Sequence, residues 1–487
     1  MNIVLVMPTW TDDLGVFANL AKKRNSQPPL GILYLATVAE QRGHTARVID
    51  ADVEGYDLRA LINEVIVNKF DLLGISATSP IFHKAVSLAK GLKSKGFRSP
   101  ILIGGEHINI FKKDAFFDCF DYAFFGESDC TFEQFLSRME SGSHSYEAMN
   151  GFIYRQNGQI IETMPAERIT DLDALGFPAM HLLIHDRYVM TFAKYKRRRY
   201  LPIMASRGCP FKCAFCSEPL TNPQLRFRSA QNVVDEIEKW AKELGISHFF
   251  FIDSNLTLNR KRIEGICHEI IRRNLNITFE GWTRANLVDE SLLKLLKTAG
   301  LIRMSYGIES GDPGVLRIIR KEVSHEDMLK AFKITDELGI EPACSVMLGL
   351  PGDTKASVER TIHFVKNISQ VLYSNFSIAN PYPGTEMHDW ALTGKHGLHL
   401  LIDDFSEYRR YDNSPISVND LSQEDLVRLQ KIGLIRIHMT PKRILAAIKM
   451  VGLLEILPLF LKLVIGVCQS FPSILRREAG NTKCKSV

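Results

Sequence analysis

The sequence predicts an α/β chain in two successive units: an N-terminal open parallel sheet of the Rossmann-like kind, then a partial (β/α)6, TIM-like barrel, with a helical C-terminal region last. Three observations predict it. Short β-branched runs alternate with helical patterns over residues 1–140, the alternation resumes at Leu201 with six strand-like runs, and it stops after about Ala391. Strand and helix alternating at this spacing is the pattern of parallel sheets with crossover helices. At 487 residues the chain is too long for one ordinary core, since domains usually run to roughly 100–200 residues. The expected division is 1–140, a linker over 141–200, the barrel over 201–390 and the helical region over 391–487.

In the first unit, strand-like runs at 3–7, 46–49, 72–76, 101–103 and 122–125 are separated by helical patterns at 30–42, 58–68 and 84–95, with another at 130–139. Open parallel sheets bind ligands at the carboxyl ends of their strands. Here those ends carry Met7-Pro8-Thr9, Ser76-Ala77-Thr78, Gly104-Gly105 and Gly126-Glu127. A ligand platform and mere tight turns account for these residues equally well.

The pattern weakens over 141–199. A hairpin-like stretch at 151–161, then Pro165 and Pro178, and a basic run from Lys194 to Arg199 read as a linker. The run Lys196-Arg197-Arg198-Arg199 suits either a phosphate or plain solvation, and charge runs in connecting segments are mostly solvated. The second unit has strand-like runs at 201–205, 248–252, 277–282, 303–307, 341–348 and 374–378. Chemistry in β/α barrels gathers at the carboxyl ends of such strands.

Composition narrows the function classes. Apolar residues at 45% and charged residues at 24% fit a folded globular protein without low-complexity stretches. The formal charge of +5, from 60 basic against 55 acidic residues, gives no reason to expect a nucleic-acid partner. MNIVLVMPTW reads as a first strand and not as a secretory leader. Nine cysteines, three of them within eight residues, favour a reducing cytoplasm and a metal site over a disulfide framework.

Those three are Cys209, Cys213 and Cys216, in Ser206-Arg207-Gly208-Cys209-Pro210-Phe211-Lys212-Cys213-Ala214-Phe215-Cys216, directly after the first barrel strand. Three thiolates can hold three irons of a cubane and leave the fourth with an open coordination position. Structural zinc normally needs a fourth ligand close by, and the nearest candidates, Cys267 and His268, fall in a helical pattern beyond the second strand.

Cys-x3-Cys-x2-Cys with aromatic Phe215 before the last Cys resembles the defining motif of the radical S-adenosylmethionine (SAM) superfamily. The resemblance implies a 4Fe-4S cluster on these cysteines whose open iron chelates SAM. It also implies an electron donor such as flavodoxin or ferredoxin, and a 5'-deoxyadenosyl radical that abstracts hydrogen. The segments Phe251-Ile252-Asp253-Ser254-Asn255, Trp282-Thr283-Arg284, Gly307-Ile308-Glu309-Ser310-Gly311, Gly349-Leu350-Pro351-Gly352-Asp353-Thr354 and Pro381-Tyr382-Pro383-Gly384-Thr385 end strands two to six. They are similar to family segments that line the cofactor pocket. On that similarity Phe215, Asp253, Arg284, Glu309, Gly349 and Gly352 are the expected SAM contacts.

Residues 28–36, with Gly43-His44 to Asp50, Gly74-Ile75-Ser76-Ala77-Thr78, Ile103-Gly104-Gly105 and Phe125-Gly126-Glu127, resemble the cobalamin-binding domain that precedes the barrel in one large subfamily. The resemblance implies cobalamin contacts from Thr9, Ser76, Thr78, Gly104, Gly105, Gly126 and Glu127. One departure matters: the loop Thr9-Trp10-Thr11-Asp12-Asp13-Leu14-Gly15 lacks the histidine that mutase-type domains place on cobalt, and no histidine precedes His44. The resemblance therefore implies either cobalamin held without a His ligand, which is the expected case, or a domain that has lost the cofactor; His83 and His107 are further candidates near it, although a lone histidine is more often structural.

With both cofactors the subfamily's usual reaction is methyl transfer to an unactivated carbon of a small or lipophilic molecule. Some relatives instead perform cyclisation or oxygen insertion on tetrapyrroles. A methylthiotransferase acting on transfer RNA would need three more N-terminal cysteines, where only Cys119 and Cys130 occur. A non-catalytic cobalamin or iron-sulfur sensor would leave the strand-end segments without a use.

The apolar stretch 445–467 is interrupted by Lys449, Glu455, Pro458 and Lys462. It reads as a helix that covers the barrel or lies on a membrane surface, with Lys442, Arg443, Arg476 and Arg477 facing anionic lipid in the second case.

Overall fold

The structure, a computed structural model, describes residues 1–18, 21, 27–195, 197–454, 457, 458 and 461. Its first unit is a seven-stranded sheet in the order β2-β1-β3-β4-β5-β6-β7. The strands are β1 (Asn2–Met7), β2 (Thr45–Asp50), β3 (Leu72–Ser76), β4 (Ile101–Gly104), β5 (Tyr122–Phe124), β6 (Phe152–Gln156) and β7 (Gln159–Glu162). β1 to β5 run parallel, as the alternation predicts. Their near-continuous apolar sequences suit strands covered by helices on both faces.

The hairpin over 151–161, expected in the linker, instead extends this sheet. Phe124 pairs with Phe152 in antiparallel register, and the two rings lie 5.4 Å apart. β5 has three residues, and the hairpin covers its edge, which would otherwise stand open to solvent. The first unit therefore runs past residue 160. The rest of the linker lies along it: Ala179 N–H donates to Leu33 O at 3.2 Å and Tyr188 Oη to Asp50 at 2.9 Å. Arg198–Arg199 pair with Val189–Met190, and Arg199 binds Asp186 at 2.9 Å. Lys196 lies outside the described residues.

The second unit has six parallel strands in sequential order: Leu201–Ile203, His248–Phe251, Thr278–Thr283, Leu301–Glu309, Glu341–Leu348 and Tyr373–Ile378. Polar caps start the intervening helices: Ser229, Asn259 and Asp289 accept N-terminal amides, while Ser324 and Thr354 form capping boxes. The amino ends of the strands are plugged. Arg303 donates to Glu341 at 2.9 Å, lies 3.5 Å from Glu280 and stacks on Phe192 at 4.2 Å. The carboxyl ends are left for chemistry.

Beyond Ala391 the chain is not purely helical, since Leu398–Leu400 and Ile416–Val418 form an antiparallel pair. Helix Gln423–His438 packs on the sixth barrel strand, with Gln430 donating to Phe376 O at 3.0 Å. Helix Pro441–Val451 follows. Arg443, expected to face lipid, is buried at 3% exposure. Its guanidinium spans the carbonyls of Val365, Lys366, Ile368, Val371 and Ile437, two of which also accept a backbone N–H, Val365 O from Ile368 and Ile368 O from Val371. Lys442 reaches Ser369 O at 3.1 Å. Arg476, Arg477 and most of 455–467 lie outside the described residues. Among those described, no helix is long and apolar enough to cross a membrane.

Candidate functional site

The cysteine loop leaves the first barrel strand through Ser206–Arg207, which pairs with Arg226–Phe227. Gly208 takes φ 94° against the backbone of Gln224, a conformation and an approach open only to glycine. Ala214 then ties the loop to the barrel, its N–H donating to Ile319 O at 3.1 Å and its carbonyl accepting from Met387 N at 2.9 Å. Cys209, Cys213 and Cys216 consequently border one cavity of ≈ 200 Å³, shared with Phe215, Arg284 and Glu309. Among the described residues no three Cys, His, Asp or Glu side chains converge tightly enough for a single ion; the sulfurs surround a volume.

Donors surround the sulfurs. Asn255 Nδ2 donates to Cys209 Sγ at 3.3 Å and Arg284 Nη1 to Cys213 Sγ at 3.7 Å. Burial pushes the Cys216 thiol up to about 12, so an added cation is what would favour its thiolate. Arg284 is 3% exposed, stacked on Phe211 at 3.8 Å, and its Nε and Nη2 are buried without a partner. Leaving such donors unmade costs about 1–3 kcal/mol each, so the cavity is shaped for an anionic group. Three thiols with a bare guanidinium beside them fit a cluster and the carboxylate of a cluster-bound amino acid.

Glu309 also lines the cavity. The register between the fourth and fifth barrel strands shifts at Gly307/Glu309 and Glu309 takes φ 63°, a bulge that turns its side chain inward. Lys321 pairs with it at 2.7 Å in buried surroundings. Gly307 makes room, because a Cβ there would lie 2.7 Å from Lys321 Nζ.

Three expected SAM contacts lie elsewhere. The Asp253 carboxylate accepts from Ala205 N at 3.0 Å and from Ser206 Oγ and lies 3.5 Å from Arg262; it braces the root of the cysteine loop. Gly349 faces Leu426 and Ile416, and Gly352 faces Ile318, so both serve packing. Two residues of the cavity carry no expectation from sequence, Asn255 and Lys321. Asn255 ends the segment Phe251–Asn255, and only its place on the cavity side marks it. Nothing in the sequence marks Lys321, which reaches Glu309 from the turn after helix Pro313–Ile318.

In the first unit the expected cobalamin residues occupy the carboxyl ends of adjacent strands. Lys84 Nζ donates to the Thr9 carbonyl at 2.8 Å and to Asp12 at 2.9 Å. Asp52 fixes the same loop by accepting from Trp10 N at 2.6 Å and Thr11 N at 2.9 Å. Ser76 and Thr78 flank Ala77, whose N–H donates to Gly104 O at 3.0 Å. Gly105 takes φ 100°, and a Cβ there would lie 2.6 Å from Ala77 O. Gly126 takes φ 81° and its N–H donates to Asn109 at 2.8 Å. His107 is buried against Phe82 at 3.9 Å and Ser79 at 3.0 Å; burial lowers it to about 4, which keeps it neutral. His83 is exposed.

Glu127 has a different use from the one expected. It accepts from Arg226 at 2.9 Å and from Ile169 N at 3.1 Å, with Arg207 at 3.4 Å and Arg168 at 3.8 Å. Its carboxylate thus joins the end of β5 to the segment leading into Cys209. Gly384, after the sixth barrel strand, likewise approaches Ile110 of the first unit. The two strand-end faces therefore meet.

Comparison with known proteins agrees with both halves. Residues 203–365 match the model of the radical SAM superfamily and 18–136 that of the B12 binding domain. An uncharacterized methyltransferase of Pyrococcus horikoshii is 29% identical over 450 residues, covering 91% of this chain and 93% of the relative. The anaerobic magnesium-protoporphyrin IX monomethyl ester cyclase of Rubrivivax gelatinosus is 26% identical, covering 78% and 68%. Among solved structures, the radical SAM methyltransferase TsrM of Kitasatospora setae, bound to cobalamin and a [4Fe-4S] cluster, shares the fold. Its TM-score is 0.66 at 17% identity, over 84% of this chain and 85% of that one. The chain, with both domains on one polypeptide and the strand ends that would serve them apposed, belongs to the cobalamin-dependent radical SAM family.

Proposed function

We propose that the protein is a methyltransferase that acts on an unactivated carbon of a small or lipophilic molecule in the cytoplasm. The buried Arg284 guanidinium, bare at two nitrogens beside three thiols, supports cluster-bound SAM, and the similarity to a methyltransferase over 91% of the chain supports methyl transfer as the outcome. When bound, the cluster with SAM supplies a 5'-deoxyadenosyl radical and cobalamin supplies a methyl group.

The chain's own residues hold and orient. Cys209, Cys213 and Cys216 bind iron, Arg284 holds a carboxylate, and the Glu309–Lys321 pair fixes the opposite wall and offers hydrogen bonds to an amine or ribose. Thr9, Ser76, Thr78, Gly104, Gly105 and Gly126 would form the cobalamin platform, and the loop after β1 carries no histidine. Glu127 with Arg226 fixes the distance between the two sites. Trp282, on the cavity rim and 42% exposed, offers an apolar face to a substrate entering from solvent.

The similarity to a tetrapyrrole cyclase favours cyclisation as a second reading. Exposed Leu445, Leu453 and Leu454 support contact with a membrane surface, where a lipophilic substrate would be collected; sedimentation with anionic liposomes tests this, and full recovery in the supernatant counts against it. The reaction itself is tested by anaerobic reconstitution, iron, sulfide and cobalt analysis, and detection of 5'-deoxyadenosine with S-adenosylhomocysteine. Methyl transfer predicts both products; cyclisation gives 5'-deoxyadenosine without S-adenosylhomocysteine. A zinc-loaded protein, or full turnover by Cys213→Ala, defeats both.

A further inference from the structure

The donors around the three sulfurs differ in kind. The Arg284 guanidinium donates to Cys213 Sγ at 3.7 Å. Among the described residues, Asn255 is the neutral side chain that donates to a cysteine of the cavity, at 3.3 Å from Cys209 Sγ. It is 8% exposed. Its place is fixed on either side, because Leu256 N–H donates to Trp282 O at 2.8 Å and Leu258 N–H to Asn255 O at 3.2 Å. The methyl-transfer proposal does not use it.

An N–H group aimed at a thiolate withdraws electron density from the sulfur, and it stabilises the more negative, reduced cluster more than the oxidised one. In buried surroundings this difference is screened little. We infer that Asn255 is a positioning residue that holds Cys209 and raises the reduction potential of the cluster, and so sets how far an external reductant can load it. The step is a one-electron transfer: the cluster gains the electron, the reductant loses it, and no proton or bond changes at Asn255. The inference rests on the cluster reading above and is independent of what the radical later attacks.

The test is potentiometric titration, followed by electron paramagnetic resonance, of anaerobically reconstituted full-length protein without SAM or substrate. Asn255→Leu removes the donor, and Asn255→Asp, of the same shape, removes it and adds a charge. With iron and sulfide at wild-type levels, Asn255→Leu should show an about tenfold lower ratio of reduced to oxidised cluster at the wild-type midpoint, equivalent to a fall of about 59 mV for one electron. Asn255→Asp should fall further. Unchanged midpoints in both variants overturn the inference, and so does loss of the cluster from both, which would assign Asn255 a purely structural role. If only Asn255→Leu loses its cluster, the midpoint of Asn255→Asp decides. Wild-type protein that takes up no iron-sulfur cluster would defeat the proposed function itself, an outcome visible before any variant is made.

Discussion

Removing the Glu127 carboxylate should open the joint between the two units and, through it, loosen the cysteine loop. Its side chain is 7% exposed, and those of its partners Arg226 and Arg207 are 8% and 12% exposed. Glu127→Ala leaves both guanidinium groups buried with less compensation, although Arg207 keeps Asp129 at 3.3 Å. Truncating one partner of such a pair costs about 3–5 kcal/mol, while the Asp129 contact points to the lower end. Arg226→Met should cost less, because the Glu127 carboxylate keeps Ile169 N–H at 3.1 Å, Arg207 at 3.4 Å and Arg168 at 3.8 Å. The double variant should cost less than the sum by about 2 kcal/mol, since neither charge is then left without the other. Urea denaturation of the four proteins, followed by intrinsic fluorescence, gives these differences from the first transition. Because Arg207 lies two residues before Cys209, iron content after anaerobic gel filtration should fall in the single variants. Shifts below about 1 kcal/mol with full iron retention would refute the view that this network holds the site together.

Arg284→Met should weaken SAM binding to the reconstituted protein by roughly ten- to a hundredfold, the worth of hydrogen bonds to a charged group; equilibrium dialysis with labelled SAM reads it, and unaltered binding would count against a carboxylate site. Gly105→Ala places a Cβ 2.6 Å from Ala77 O at φ 100°, so it should destabilise the first unit and reduce cobalt retained after cobalamin loading, while iron content stays unchanged. Arg443→Met removes a donor shared by five carbonyls, of which Val365 O and Ile368 O keep a backbone N–H, and should lower the unfolding midpoint by several degrees; a change under one degree would refute its capping role. Burial raises the Asp50 carboxyl to about 6 against the donation from Tyr188, so the folded state binds this proton more tightly than the unfolded chain does near 3.9. That contribution is full below about pH 4 and lost as pH rises through 6, and Asp50→Asn should flatten the pH dependence of stability between those values.

Much of the site was legible because the chemistry is local in sequence. Three thiols within one loop need only the loop's own geometry to border a common volume, and strand ends in a β/α series fall on one face by topology. Arg284, Glu309 and Phe215 therefore reach the cavity as expected. Asp253 failed the same argument because neighbouring residues at a strand end point in different directions. Its buried carboxylate found donors at Ala205 and Ser206, while Asn255 turned to the sulfur. Lys321 was invisible because its role exists only where a turn folds back on the fourth strand.

The sequence by itself determined the two β/α units, their order and the three-cysteine loop, since hydrophobic period and ligand spacing are properties of short stretches. Only the tertiary structure decided that the 151–161 hairpin completes the first sheet, that Glu127 bridges the two units and that Arg443 caps carbonyls inside the protein. Each of these depends on which distant group lies within about 3 Å of a buried polar atom, and burial, which makes such pairing compulsory, is a property of the folded chain as a whole.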